Sequence, residues 1–140
     1  MKLGPFYLLA LAMVGIADTL YLSMSVYTGV APSCLLQGCE LVLASSYSKI
    51  FGVPWAYIGL VYYVYMFGLS ALLASEPYSK ALRAAAVAYA GIGLLYSIWA
   101  VFYIQLSVIG ALCQYCAISA LITLGLLGVA LWHFRTTRKV

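Results

Sequence analysis

The chain has 140 residues, 66% of them hydrophobic and 7% charged, and seven Lys and Arg against three acids leave a net charge of +4. A soluble domain carries about 25% charged and about 45–50% apolar residues, so an ordinary soluble protein is excluded, as are a disordered chain and a small secreted disulfide scaffold. The length fits one domain over residues 1–140, and the composition predicts an all-α polytopic membrane protein.

Four apolar runs follow in order, at about 3–27, 53–74, 81–104 and 112–134. Each supplies the roughly 20 residues that a helix needs to cross a bilayer. Lipid offers the backbone no hydrogen-bond partners, so helices are expected, and a barrel would show short alternating segments instead. Together the runs predict a four-transmembrane-helix bundle. The first run starts after Lys2 and contains Ala10-Leu11-Ala12, which resembles a cleavage site. Its apolar stretch continues to Tyr27, too long for the core of a signal peptide, so it is expected to stay as a span. It also holds Asp18, the only acid inside a run. Such a carboxyl is costly unless neutral or hydrogen-bonded, which makes it a functional candidate, with helix packing the plainer alternative.

The connections are unequal. Residues 28–52 form the long one, large enough for a partner surface. Within it, Leu41-Val42-Leu43 and Ile50-Phe51, with Ser45, Ser46 and Ser48 between, suit a short amphipathic helix on the membrane surface. The second connection, 75–80, is tight, and the third, 105–111, is short and uncharged. His133 is expected at an interface, and Trp99 and Trp132 as packing or anchor residues.

With the N-terminus in the cytoplasm, Lys2, Lys80, Arg83, Arg135, Arg138 and Lys139 all lie on the cytoplasmic side and only Lys49 lies opposite. That positive-inside bias puts both termini in the cytoplasm. It gives the basic balance a meaning in topology and anionic lipid, with no nucleic-acid partner expected. All four cysteines, Cys34 and Cys39 in the long connection and Cys113 and Cys116 at the start of the fourth run, then fall outside the cytoplasm, where disulfides persist.

Cys113-Gln114-Tyr115-Cys116 is a C-x-x-C at a helix N-terminus. Residues three apart share a face, so the sulfurs can bond, and the positive helix end favours a thiolate. This suits redox chemistry better than static bridging. Two structural disulfides in a non-catalytic membrane subunit are the alternative. A zinc site is disfavoured by the C-x₄-C spacing of Cys34 and Cys39 and by the distance of His133, so no metal is expected.

Four spans, a cysteine pair in the first loop, the C-x-x-C opening the fourth span, Ser45 six residues after Cys39, and Phe51-Gly52 before the second span resemble the vitamin K epoxide reductase family. The resemblance implies a membrane thiol-disulfide oxidoreductase that passes electrons to a quinone of the ubiquinone or menaquinone type. It implies that Cys116 faces the quinone, that Cys113 resolves it and exchanges with Cys39, and that Cys34 meets an extracytoplasmic thioredoxin-fold (DsbA-like) protein. Ser45, Phe51, Tyr115 and Trp55 are the expected quinone contacts. Departures exist too. The chain has no Asn, and Ala120 stands where the vertebrate enzymes have a Tyr, which favours plain quinone reduction over epoxide reduction. Many bacterial members carry a fused thioredoxin-like domain; with the chain stopping at Val140, a separate thiol partner is expected. The bacterial DsbB type of quinone-linked oxidase has its two cysteine pairs in the opposite order.

Overall fold

Four helices long and apolar enough to span a membrane make up most of the chain, as the four runs require. They belong to a computed structural model that describes residues 3–29, 49–110 and 113–138. Helix α1, Gly4–Thr28, has Pro5 in its first turn, where the missing N–H costs nothing. It ends at Gly29 (φ 74°), whose N–H donates to the Ser25 carbonyl. Strands β1 (Lys49–Ile50) and β2 (Val53–Pro54) form a minimal antiparallel hairpin. Its two-residue turn, Phe51 (φ 52°) and Gly52 (φ 82°), needs positive φ at both positions, the geometry that matches strand twist. Helix α2, Trp55–Ser75, follows directly.

Helix α3 starts at Lys80, its first turn capped by the Ser79 hydroxyl accepting from the Leu82 N–H, and is α-helical to Ile98. From Trp99 to Ile109 it widens into π-helical turns, closed by Gly110 (φ 77°), whose N–H donates to the Gln105 carbonyl five residues back. The third span is therefore Lys80–Ile109 and runs five residues beyond Ile104. Helix α4 is Gln114–Arg138. The expected amphipathic helix falls mainly on residues outside those described, while Ile50 and Phe51 sit in the hairpin.

The core runs along the bundle axis through Leu8, Ala12, Tyr63, Met66, Ala90 and Leu126. Large apolar side chains such as Phe6, Met13, Leu72, Ile92 and Leu121 face outward, as lipid permits. Small residues set the helix spacing. Gly15 lies against the Tyr63 ring, Gly93 against the Tyr62 hydroxyl, and a Cβ on Gly59 would come 3.0 Å from Thr19 Cγ2. Buried hydroxyls are satisfied locally: Thr19 Oγ1 donates to the Gly15 carbonyl at 2.8 Å and Ser70 Oγ to that of Met66 at 2.7 Å. Tyr62 and Tyr89 stack at 4.6 Å, and each hydroxyl donates to the other's backbone carbonyl at 3.1 Å.

The end opposite the cysteines is held by two polar side chains. Arg83 Nη1 donates to Thr137 Oγ1 (2.8 Å) and to the Phe134 carbonyl (3.2 Å), and its guanidinium lies 5.3 Å from the Phe134 ring centroid. A cation there also complements the negative end of α4. His133, at the same end, is enclosed by the bundle. It is 1% exposed, with Nε2 3.1 Å from the Pro77 carbonyl, because the α2–α3 turn folds over it.

Candidate functional site

Helix α4 begins immediately after Cys113, so Cys113 and Cys116 occupy its N-terminal end and share a face. Both sulfurs are unbridged. Cys113 is fully buried behind Ile109, Tyr115 and Cys116, and its backbone N–H donates to Gln105 Oε1 at 3.0 Å. Its thiol, just outside the span, is pushed below the usual thiol value by the neighbouring Cys116 side chain, against the upward push of burial. A lowered thiol is more readily ionised and a better leaving group in exchange.

Cys116 also reaches the bundle interior. It lines a cavity of about 290 Å³ bounded by all four helices and the hairpin. Most of the wall is carbon, from residues such as Leu22, Ile58, Ile92, Ala100 and Val101. Four residues of this wall carry a buried polar atom with no hydrogen-bond partner among the described residues: Asp18 Oδ2, Trp55 Nε1, Tyr96 Oη and Gln105 Nε2. The only other such side-chain atom among those residues, Arg83 Nε, lies at the far end. Buried polar atoms are rarely orphaned. An apolar pocket lined by a few residues with such atoms is the usual make-up of a small-molecule site, in which a few polar groups fix the orientation of an apolar ligand.

The aromatic wall is continuous. Trp55 meets Tyr96 edge-on at 6.2 Å, and Trp99 packs on both, at 6.3 Å from Trp55 and 5.9 Å from Tyr96. Of the residues expected at the site, Cys116 and Trp55 are brought together on the cavity, with Cys113 directly behind. Tyr115 packs on Tyr21 of α1 at 5.3 Å and is not among the lining residues. Phe51 is fully exposed at the hairpin tip, although its neighbours Lys49 and Pro54 reach the cavity. Cys34, Cys39 and Ser45 lie outside the described residues. Gln105 and Tyr96 were not among the sequence candidates. The available signal was an amide at the edge of an apolar run, since polar groups at membrane depth default to function.

The family model described as "Vitamin K epoxide reductase family" matches residues 6–131. The chain belongs to the vitamin K epoxide reductase family. No curated relative matches it. Membership makes this vitamin K epoxide reductase family protein a multi-pass membrane protein and an enzyme of the oxidoreductase class, with disulfide chemistry as its activity. The family is known to use quinone. The Cys113–Cys116 pair lies beside the mostly apolar cavity, with Cys116 on its wall.

Proposed function

We propose that the chain is a single membrane domain oxidising a reduced thioredoxin-fold protein outside the cytoplasm and delivering the electrons to a membrane quinone. The observation that carries this reading is Cys116 opening onto a mostly apolar cavity, four of whose lining residues carry an unpartnered polar atom. A quinone has a flat apolar ring and two carbonyl acceptors. Trp55 Nε1–H and Tyr96 Oη–H are the donors that fit them.

The electron path begins at the loop. The partner's thiolate attacks the Cys34–Cys39 disulfide at Cys34 and releases Cys39, and the partner's second thiol then displaces Cys34 and leaves as the partner's own disulfide. Cys39 attacks the Cys113–Cys116 disulfide at Cys113 and releases Cys116, and Cys34 displaces Cys113 from Cys39, re-forming the Cys34–Cys39 bond. Two electrons and two protons end on Cys113 and Cys116 as thiols. The quinone supplies the two-electron, two-proton acceptor, and the thiols close to a disulfide as they give these up. Burial of Cys113 away from the cavity supports the division of labour in which Cys116 faces the acceptor and Cys113 faces the loop. Asp18 is the one carboxyl on the cavity wall among the described residues and holds the position from which a proton is handed on. The cysteine end faces outward. Lys80, Arg83 and Arg135, at the His133 end, support that sidedness, with only Lys49 near the cysteines.

The test is direct. Purified protein, a reduced thioredoxin-fold oxidase and a short-chain ubiquinone or menaquinone analogue are mixed, and loss of quinone absorbance is followed. Quinone consumption that depends on the thiol protein is expected, with a slower rate in Asp18→Asn while thiol exchange with the partner stays unchanged. Cysteines that resist mild dithiothreitol, with no quinone consumed, would identify static bridges and overturn the reading.

A further inference from the structure

We propose that Gln105 is a positioning residue for the cysteine pair, holding the Cys113 backbone with one end of its carboxamide and stabilising the Cys116 thiolate with the other. Gln105 is fully buried, and its Oε1 accepts the Cys113 N–H at 3.0 Å. That bond spends the acceptor end of the amide. The donor end, Nε2, has no partner among the described residues and belongs to the same cavity wall as Cys116. A buried amide with one end satisfied and the other bare is costly unless a partner arrives during the working cycle.

The cycle supplies one. While Cys113 and Cys116 are both reduced, the two are neighbours, Cys116 packing against Cys113. When Cys39 attacks at Cys113, the Cys113–Cys116 bond breaks, a Cys39–Cys113 bond forms, and the electron pair of the broken bond stays on Cys116 sulfur. The anion then sits against an apolar wall with its former sulfur neighbour tied up. An N–H donor already in the wall stabilises that anion as it forms, without reorganisation.

The local fold explains how the amide gets there. The widened turns of α3 between Trp99 and Ile109 bury Ala100, Val101, Ile104 and Gln105 on the inner face. Wide turns inside a helix recur where a functional side chain has to be re-aimed. The same segment ends at Gly110, three residues before Cys113, so the Gln105–Cys113 bond closes the connection between α3 and α4.

This inference rests on Cys113 and Cys116 being a working dithiol, but not on the identity of the acceptor, and its test contains no quinone. In a Cys113→Ala background the backbone donor to Gln105 Oε1 is retained and Cys116 is left alone. Its rate of reaction with methyl methanethiosulfonate is measured against pH in that protein and in the added variants Gln105→Leu and Gln105→Met. Asp18 from α1, Tyr63 from α2, Tyr96 from α3 and Lys49 from the hairpin line the same cavity and remain in place throughout. The expected result is a midpoint about one pH unit or more higher in both variants, because a hydrogen bond to the charged form has been removed. The plateau rate at high pH reports access to the sulfur, so a merely structural loss moves the plateau and leaves the midpoint. Midpoints unchanged in the variants overturn the proposal; Met, unbranched and close in volume, carries the test if Leu does not fold. Failure of the dithiol reading itself appears elsewhere, as the absence of a reversible Cys113–Cys116 disulfide in protein that retains Gln105.

Discussion

Cys116→Ala is expected to abolish quinone reduction, by roughly a thousandfold or more, while thiol exchange at Cys34 and Cys39 continues. The size of the effect follows from placement. Cys116 is the one described cysteine on the cavity wall, and Cys113 is enclosed by Ile109, Tyr115 and Cys116 itself. No other sulfur in the described residues can take its place at the acceptor. The change is small for the fold, since Cys116 is only half-buried and alanine removes a single sulfur atom. Loss of activity therefore reports chemistry and not unfolding. Mixing the variant with a reduced thioredoxin-fold protein should give thiol exchange, read by mass spectrometry, without loss of quinone absorbance. Wild-type turnover in this variant would contradict the assignment of Cys116.

Gly15→Ala is expected to be the most damaging small substitution in the bundle. In an isolated helix the exchange is worth about 0.5–1 kcal/mol in favour of alanine. Here the added methyl would overlap the Tyr63 ring. The ring cannot swing aside, because it is 1% exposed and its hydroxyl is held by Ser119, 2.6 Å from Oγ and 3.0 Å from the carbonyl. Overpacking of this kind costs about 1–3 kcal/mol, so the clash outweighs the propensity gain. α1 and α2 must then separate, and with them Asp18, Thr19 and Tyr63 on the cavity wall. A lower unfolding midpoint in detergent is expected for Gly15→Ala, with much of the loss recovered in the double variant Gly15→Ala, Tyr63→Leu. Equal losses in the single and double variants would show that the contact does not set the spacing.

The parts of this molecule visible from sequence are those that depend on local spacing or on crossing lipid. Four apolar runs oblige four helices, and the C-x-x-C places two sulfurs at one helix end whatever surrounds them. Asp18 and Trp55 stood out as single residues at telling depths, and both line the cavity. Gln105 and Tyr96 did not. The helices are apolar all round, so no polar stripe fixes their rotation. Which of 13 tyrosines turns inward is then a property of tertiary packing. Gln105 was further hidden because Ile104 looked like the end of a span, whereas widened turns carry the helix on to Ile109. That His133 meets the turn carrying Pro77 is likewise a matter of tertiary packing. Phe51 was expected near the quinone from the resemblance, and Tyr115 from its place inside the C-x-x-C. The hairpin geometry turns Phe51 outward, and Tyr21 gives Tyr115 a packing partner outside the cavity wall.

The central claim is that the Cys113–Cys116 dithiol gives its electrons directly to a quinone, and one anaerobic turnover tests it. Fully reduced protein, freed of reductant and with no thiol partner present, is mixed with a limiting amount of quinone, and thiols and quinone are counted in the same sample. One quinone reduced for every two thiols lost, with the first disulfide mapped to Cys113–Cys116, is the predicted result. Quinone left intact by the reduced protein, or reduced with no loss of thiols, would contradict the account.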